Sequence, residues 1–426
     1  MVRLIGWSQL TSSAKVELSH INIFIGERTV FIRQNFRIYP TKEQQQFFLQ
    51  DMGNQRFIWN YILSKSIEKY EQEKKFIWYH EAASLLPELK KELDWLKLGN
   101  SQALQQTLKD LDQAFKDAFK KTGTRSGFPK FKKKESGGSC RYPSGCSIEN
   151  SKLSVPKLKS NIKVAGENIP IEFKSCTVSL KPSGKWFISL VVEIDEVSKV
   201  EFNSKSKVVG IDLNSKYFVV LDNGDAVVNP KHLLKKEKQL KRYQRRMSRK
   251  VKGSNNRSKQ RIKVARKHES VASQRKEFVE QLTTELVKEY DVLVIEDLNV
   301  KAMQKWNGRM IQSAPFGLFR SKLTWKANKH GKHLIVIDRF APTSKVCNEC
   351  GQIHQFGLNV RWLNCDCGAK VHRDLNAAIN IKNIGISTAG MAGSYASGDA
   401  KVHGLDVHGI RWVSLKEENT PSSAVC

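Results

Sequence analysis

Short apolar runs in the first two hundred residues predict a β-rich module. The segment 29–39 (TVFIRQNFRIY) alternates apolar and polar positions as a half-buried strand does, and Pro40 ends it. Between 128 and 197, further short apolar runs are separated by Gly, Pro and Ser. We interpret both stretches as one barrel-like module that the strand at 29–39 completes. Residues 1–27 follow neither a strand nor a helix period and stay unassigned.

A helical unit is predicted between these two β segments. Thr41 and Gln44 have the spacing of a capping box, which marks the start of a helix. Apolar residues then recur at helical spacing, first from Phe57 to Ile62 and later at Leu104, Leu108, Leu111 and Phe115. Residues 41–121 are therefore expected to form helices inserted between strands.

The second half of the chain predicts a mixed α/β region. Three short strands with a hairpin signal open it at 208–228, and a buried strand follows at 291–296. The remaining predicted elements are a helix at 318–329, a strand at 333–338 and a final helix from Asp374. Beyond Gly385 the composition turns to Gly, Ala and Ser, which predicts a flexible tail over 386–426.

Net charge is the most extreme property of the chain, at +30 over 426 residues. The segment 231–276 holds nineteen Lys or Arg against two Glu, and its apolar spacing predicts a basic helical hairpin over 229–276. Such a surplus calls for a polyanionic partner, and nucleic acid is the first candidate. A solvated charge run is the alternative interpretation of the hairpin.

Apolar runs exclude a membrane-spanning protein, since the longest is far shorter than the roughly 20 residues a helix needs to cross a bilayer. The N-terminus has no continuous apolar stretch typical of a secretory signal. We therefore expect a soluble, cytoplasmic protein. Four of the eight Cys residues lie between 347 and 367, which indicates metal binding in a reducing compartment rather than disulfides.

Three acidic residues interrupt or end apolar segments. Asp212 lies inside an apolar strand, Glu296 ends another, and Asp374 begins the final helix. A lone buried carboxylate is costly, so Asp212 must face a cation, a metal or a polar cleft. If the strands are neighbours and the helix packs on them, the three acids converge and can hold two divalent cations, for which Mg²⁺ is suited. Taken alone, Asp374 could instead be a helix N-cap, and Glu296 could be an exposed charge at the end of a strand.

Cysteines form a C-x2-C…C-x-C pattern at Cys347, Cys350, Cys365 and Cys367. Four thiolates suit tetrahedral Zn²⁺, and a small loop without a core needs such a metal to fold. The second pair is one residue shorter than the usual C-x2-C, so His354 or His372 could replace one ligand. We expect a structural site.

Nine short segments of the chain carry a family resemblance that covers about residues 28–385. The matching segments are 37–44 (RIYPTKEQ), 56–60 (RFIWN), 127–131 (GFPKF), 210–214 (GIDLN), 254–257 (SNNR), 274–278 (QRKEF), 294–298 (VIEDL), 343–351 (TSKVCNECG) and 372–380 (HRDLNAAIN). Together they resemble TnpB, the RNA-guided DNA endonuclease family of bacterial insertion sequences, which is related to type V CRISPR effectors.

The resemblance implies an α+β multidomain fold. Its parts are a wedge β-barrel at 28–40 and 122–203, a helical recognition domain at 41–121, an RNase H-like (RuvC) nuclease domain at 204–339 and 373–385, and an inserted zinc ribbon at 340–372. It also implies that Asp212, Glu296 and Asp374 are the catalytic acids, served by two Mg²⁺ ions.

The expected partners are a guide RNA from the transposon end and double-stranded target DNA, with one chain per guide RNA. The family cuts DNA beside a short transposon-adjacent motif that protein side chains read, while base pairing reads the target. From this resemblance we expect a bacterial protein that acts at the nucleoid. The 27-residue N-terminal extension has no counterpart in the family.

Nucleic-acid contacts are expected on three parts of the chain. The recognition helices would read the motif with Trp78, Tyr79, Ser101, Gln102 and Gln105, since Gln suits adenine edges. The loop after them would contact the backbone through Phe128, Lys130, Lys132, Lys133 and Lys134. The hairpin would contribute Arg245, Arg246, Arg249, Lys250, Lys252 and Arg257. A solvated helix face is the alternative for each.

Two other functions remain open at this stage. A nuclease-inactive, RNA-guided DNA-binding repressor is disfavoured because all three acids are present. An RNase H-like DNA transposase without a guide would lack co-purifying RNA.

Overall fold

The computed structural model describes residues 29–120, 127–134, 137–195, 197–357, 359–388, 406–407 and 410–416. It divides into two compact units, the first ending at Glu196 and the second beginning at Val197. The expected N-terminal extension at 1–27 and most of the expected tail lie outside the described residues. No described helix is long and apolar enough to cross a membrane.

The first unit combines a sheet with a helical insertion. Its elements in chain order are β1 (Thr29–Tyr39), α1 (Lys42–Glu73), α2 (Tyr79–Glu92), α3 (Trp95–Leu98), α4 (Ser101–Ala118), β2 (Gly138–Tyr142), β3 (Ser147–Glu149), β4 (Lys152–Ser154), β5 (Ile162–Ala165), β6 (Ser175–Leu180) and β7 (Trp186–Asp195). The predicted strand at 29–39 is confirmed, and so is the capping box, in which the Thr41 hydroxyl accepts from the Gln44 N–H.

The sheet of the first unit has the order β2-β6-β7-β1-β5-β4-β3, so the strand at 29–39 belongs to it, as the sequence predicts, and lies in its middle. The order is linear, and no hydrogen bonds join β2 to β3 within the described strands. Side chains from both edge strands nevertheless enter one core, with Tyr142 from β2 and Ile148 from β3. The sheet is therefore curled around that core without closing into a hydrogen-bonded barrel. A second core, built on Trp59 and Phe115, holds the helices together.

The second unit is a sheet with helices on both faces. Its elements are β8 (Val208–Asp212), β9 (Tyr217–Leu221), β10 (Asp225–Val228), α5 (His232–Ser248), α6 (Asn255–Glu289), β11 (Val292–Glu296), α7 (Val300–Ser313), α8 (Phe316–Lys329), β12 (His333–Ile337), β13 (Trp362–Asn364), β14 (Lys370–His372), α9 (Arg373–Thr388), β15 (Asp406–Val407) and β16 (Ile410–Ser414).

Seven strands of the second unit form a sheet in the order β12-β11-β8-β9-β10-β16-β15. The first three strands in that order are parallel, and β8, β9 and β10 are antiparallel, as the sequence predicts for the opening of this region. Alternate residues of β8 and β11 face opposite cores. One core contains α6 and α8, and α9 packs on the other face.

The basic hairpin consists of α5 and the first half of α6. Its second helix, α6, continues past residue 276 to Glu289, because Phe278 and Leu282 extend the apolar spacing and pack into the core. One helix thus joins the charged arm to the sheet.

The prediction of a flexible tail over 386–426 is wrong for the three parts of it that the structure describes, 386–388, 406–407 and 410–416. The last helix, α9, continues to Thr388, and 410–416 returns to the sheet, where β16 pairs antiparallel with β10. The physical reason is that Ile410 and Trp412 alternate with Arg411, and both apolar side chains are buried in the main core. They cover an edge of the sheet that β10 would otherwise expose.

Candidate active site and metal centre

Strand alternation places two of the three acids on the same face of the sheet. In β8, Val209 and Ile211 face the core that contains α6, so Asp212 faces the side on which α9 packs. In β11, Leu293 and Ile295 likewise face α6, which leaves Glu296 on the α9 side. The register pairs Ile211 with Ile295, so the two acids occupy adjacent positions of neighbouring parallel strands.

The third acid arrives on α9, which lies unusually close to β8. Gly210 makes this possible, because a Cβ there would lie 2.1 Å from the backbone oxygen of Ala378. Asp374 lies in the first turn of α9 and is 5% exposed. It follows Arg373, the first residue of the helix, so it is not the residue before the helix that an N-cap interpretation requires.

Asn214 connects two of the acids. Its side-chain N–H donates to Asp212 Oδ2 at 3.2 Å and to Asp374 Oδ2 at 3.1 Å. Its side-chain oxygen accepts from the backbone N–H of Lys216 and Tyr217, which fixes the amide in the turn between β8 and β9. Sequence reasoning missed this role. The available signal was an Asn two residues after the acid, at a strand-to-strand turn.

The site favours a positive ion. Burial, together with the charges of Asp374 and Glu296, raises the pKa of Asp212 to about 8. Burial also raises the pKa of Glu296, against the hydrogen bond from the Thr343 hydroxyl, which lowers it. Such carboxylates lose their protons readily only when a cation is bound beside them. Oxygen donors of this kind fit Mg²⁺.

The structure brings the four predicted cysteines together. Their sulfur atoms all lie within 4.8 Å of one another, and in the described part of the chain no other group of three or more His, Cys, Asp or Glu meets that spacing.

Sulfur separations agree with a tetrahedral site. The sulfur atoms of Cys347 and Cys367 lie 3.8 Å apart, and those of Cys350 and Cys365 lie 3.4 Å apart. In a tetrahedral site, a Zn–S distance of about 2.3 Å predicts sulfur–sulfur distances of about 3.8 Å. The short C-x-C pair reaches the cluster, and neither His354 nor His372 belongs to it. The sulfur set thus fits Zn²⁺ without a histidine ligand. The His372 ring instead accepts the N–H of Asp374 at 3.3 Å.

The aromatic residues predicted to read a motif lie beside α4. Trp78 is 41% exposed and packs edge-on against Phe115. Tyr79 begins α2, and the Lys109 ammonium lies 5.4 Å from its ring centre. The Trp78 side chain is accessible, although part of its surface contributes to the helical core.

The polar residues predicted to read a motif lie on the first turns of α4. Gln102 and Gln105 are exposed one helical turn apart, and Ser101 is exposed beside them. Two of the three already have partners, since Ser101 accepts from the Lys90 ammonium and Gln102 accepts from the Ser144 hydroxyl, each at 2.8 Å.

The loop after α4 has mixed roles. Phe128 packs against Phe115 and remains 42% exposed. The Lys132 ammonium lies 3.6 Å from the centre of the Trp59 ring, so this lysine contributes to packing as well as charge. All four lysines that are predicted to contact nucleic acid in this loop are exposed, namely Lys130, Lys132, Lys133 and Lys134.

The basic hairpin presents one continuous cationic face. Side chains of α5 and of the residue that follows it line an open groove of about 800 Å³, namely Lys235, Lys236, Lys238, Gln239, Lys241, Arg242, Arg245, Arg246 and Arg249. Lys252 is exposed in the turn that follows. Arg257 has a structural role, because its guanidinium donates to the carbonyls of Met247 and Lys250 at 2.9 and 2.8 Å.

Family models match three parts of the chain. One described as a probable transposase covers 189–307, and one described as the TNB domain of a Cas12f1-like protein covers 316–381. A third, described as a helix-turn-helix domain, covers 32–75, where the structure has β1 and the single long helix α1.

Curated relatives extend over most of the chain. It is 36% identical over 365 residues to a protein of Streptomyces pristinaespiralis named "Putative RNA-guided DNA endonuclease", covering 83% of this chain and 89% of the relative. It is 35% identical over 338 residues to "Putative RNA-guided DNA endonuclease InsQ" of Escherichia coli strain K12, covering 74% and 82%. A solved Cas12f1–sgRNA–target DNA complex aligns over 83% of this chain and 99% of its own, at 16% identity and a TM-score of 0.32.

Proposed function

The chain belongs to the TnpB family of RNA-guided DNA endonucleases, and from this premise we propose that it cleaves double-stranded DNA beside a short transposon-adjacent motif. The reaction is hydrolysis of a phosphodiester bond at Asp212, Glu296 and Asp374. The observation that carries the proposal is the position of these acids, which strand alternation and the close approach of α9 place on one face of the sheet.

The three acids would hold two divalent cations. Bound Mg²⁺ would activate a water and stabilise the leaving oxygen of the phosphodiester. The protein's part is to hold the carboxylates apart and in register, which Asn214 does for Asp212 and Asp374. Asp212 must also give up the proton that its burial favours, which links cation binding to proton release.

The cysteine cluster is proposed as a structural zinc site. Cys350 and Cys367 are exposed, whereas Cys347 and Cys365 are buried. Metal analysis of purified protein should find one zinc per chain, and a chelator should unfold the segment 340–372, as judged by its proteolysis. Purified, folded protein without zinc would contradict this assignment.

A guide RNA and its DNA target are the proposed partners. The hairpin at 229–276 and the lysines after α4 would contact the phosphates of an RNA–DNA duplex of about 20 bp. In the first unit, the sheet is proposed as the wedge and α1 to α4 as the recognition helices that read the adjacent motif. The second unit is the proposed RuvC-like nuclease, with 340–372 as its zinc ribbon.

The test compares cleavage by wild type and Asp212→Asn, both expressed with the RNA of the transposon end. Wild type should cut a matched target in Mg²⁺, and Asp212→Asn should bind the target without cutting it. Asp225→Asn is the matched control, because Asp225 is also buried in the same sheet but lies outside the acid cluster. Cleavage that persists in Asp212→Asn would overturn the catalytic assignment.

A second candidate is a DNA transposase without a guide, which the description of one matching family model favours. It predicts that no discrete RNA co-purifies and that the protein joins transposon ends to target DNA.

A nuclease-inactive repressor is the third candidate, and it predicts guided binding by wild type without any cutting. The same preparation therefore separates all three functions.

A further inference from the structure

The segment 343–348 runs from the acidic site into the cysteine cluster. It follows β12 and contains Cys347. Thr343 is 6% exposed, and its side chain points at an acid rather than at the cysteines. This short piece of chain therefore touches both sites.

Two asparagines of α9 fasten the segment in place. Asn376 donates to the carbonyl of Val346 at 2.7 Å and accepts from the N–H of Asn348 at 2.9 Å. Asn380 donates to the carbonyls of Thr343 and Val346 at 2.8 and 2.7 Å. Asn376 is fully buried and Asn380 is 8% exposed. Because buried amides must be satisfied, these bonds make the segment and α9 one body.

The Thr343 hydroxyl then donates to Glu296 Oε1. Glu296 comes from β11, whereas the backbone of Thr343 is held by α9 through Asn380. The hydroxyl thus links the acid of one strand to the helix that carries Asp374. The Glu296 side chain is half-buried. A hydrogen bond to its carboxylate restricts rotation about the terminal bond, which otherwise turns freely.

We propose that Thr343 is a positioning residue for Glu296, and that the metal-binding knuckle at Cys347 and Cys350 keeps it in position. The inference rests on the proposed nuclease function of the acids. The knuckle contributes because Asn348 lies between those two cysteines and is bonded to Asn376. Loss of the metal frees the knuckle, loosens the segment on α9 and releases the Glu296 carboxylate.

The chemical consequence is a defined orientation of one cation ligand. With one oxygen engaged by Thr343, Glu296 presents its carboxylate to the cations in a single rotamer. Groups that hold a metal ligand in this way typically change metal affinity or activity about 10- to 100-fold when removed. The cysteine site therefore does more than fold its own loop.

A matched pair of substitutions tests the hydroxyl. Thr343→Val keeps the shape of the side chain and removes the donor, and Thr343→Ser keeps the donor. With guide RNA and target saturating, Thr343→Val should cleave about 10- to 100-fold more slowly than wild type, and Thr343→Ser should recover most of that rate. Target affinity should be the same for all three. Equal rates for wild type and Thr343→Val, or equal loss in both variants, would overturn the inference.

Cation affinity provides a readout that needs no turnover. Binding of Mn²⁺ to the guide-loaded protein, followed by the paramagnetic resonance of free Mn²⁺, should weaken about 10- to 100-fold in Thr343→Val and stay close to wild type in Thr343→Ser. Unchanged Mn²⁺ affinity in Thr343→Val would contradict the positioning role even if that variant were poorly stable.

The link to the cysteines is tested by a double-mutant cycle. Cys350→Ser should slow cleavage, and its effect should be smaller in the Thr343→Val background, because both changes release the same carboxylate. Additive effects would show that the knuckle and Thr343 act separately. If wild type itself fails to cut, the proposed function fails, whereas a cutting wild type with an unaffected Thr343→Val fails only the present inference.

Discussion

Gly210 is the position where α9, the helix that carries Asp374, meets the sheet, and replacing it with Ala tests the site geometry. The added Cβ would lie 2.1 Å from the Ala378 oxygen, 2.7 Å from the Lys382 nitrogen and 2.8 Å from Lys382 Cβ. The first two of these atoms are backbone, so no side-chain rotation relieves the contact.

The size of the effect follows from that distance. Ordinary van der Waals contact begins at 3.4 Å, so α9 must move away from β8 by about 1.3 Å in a close-packed interior. Overpacking of this kind costs about 1–3 kcal/mol in the free energy of unfolding. The same shift displaces Asp374, and a misplacement of about 1 Å can cost about 100-fold in rate.

Two measurements check the prediction, namely urea unfolding of the metal-loaded protein and single-turnover cleavage with saturating guide and target. Gly308→Ala is the matched control, because Gly308 lies within α7 and a Cβ there has no atom within 4 Å. The control should be stabilised by about 0.5–1 kcal/mol and cleave normally. A Gly210→Ala protein as stable and as active as wild type would refute the close packing of α9 on β8.

Other predictions concern the amide beside the acids, one buried acid of the first unit and the basic face. Asn214→Ala should slow cleavage about 10- to 100-fold without weakening guide binding, measured by single-turnover rates; an unchanged rate would remove Asn214 from the site. Burial raises the pKa of Asp51 above its ordinary 3.8, so the stability this carboxyl contributes is complete below that value and is lost as the pH rises through the higher folded-state pKa. The melting temperature of Asp51→Asn should therefore rise relative to wild type as the pH is raised from 3.8, and a pH-independent difference would contradict the shift. The slope of log affinity for RNA against log salt should become shallower by about 2 when three cations that line the groove, Lys238, Arg242 and Arg249, are replaced by Gln. An unchanged slope would mean that these side chains are only solvated.

Much of the site could be predicted because its signals are local. Asp212 was visible as a carboxylate in an apolar strand, and the period of two along β8 and β11 determines the face on which it and Glu296 lie. The four cysteines were visible by spacing, and the structure removes the open question about the C-x-C pair, because Cys365 and Cys367 both reach the cluster.

What the sequence could not predict depends on contacts between distant segments. Asn214, Thr343, Asn376 and Asn380 are ordinary polar residues along the chain, and they acquire roles only when α9 lies against β8 and the cysteine segment lies on α9. Charge alone did not distinguish cations that could bind nucleic acid from cations with a structural role. Arg257 looks like any other cation of the hairpin, yet its guanidinium caps the end of α5.

The sequence did not predict the strand β16, for a different reason. Its five residues follow a stretch rich in Gly, Ala and Ser, and so short an alternation carries little weight without its partner. Pairing with β10 gives that partner and buries Trp412 almost completely. Tertiary pairing outweighed the composition of the surrounding segment.

Reprogramming the guide is the most direct test of the central claim, which is that this chain cuts DNA at a site chosen by its RNA. The protein is expressed with an RNA whose terminal segment has been replaced, and the cleavage products of a plasmid carrying both the original and the new target are mapped in Mg²⁺. The account predicts that cutting moves to the new target and disappears from the original one, and that Asp212→Asn cuts neither. Cutting that stays at the original sequence, or that proceeds without RNA, would contradict it.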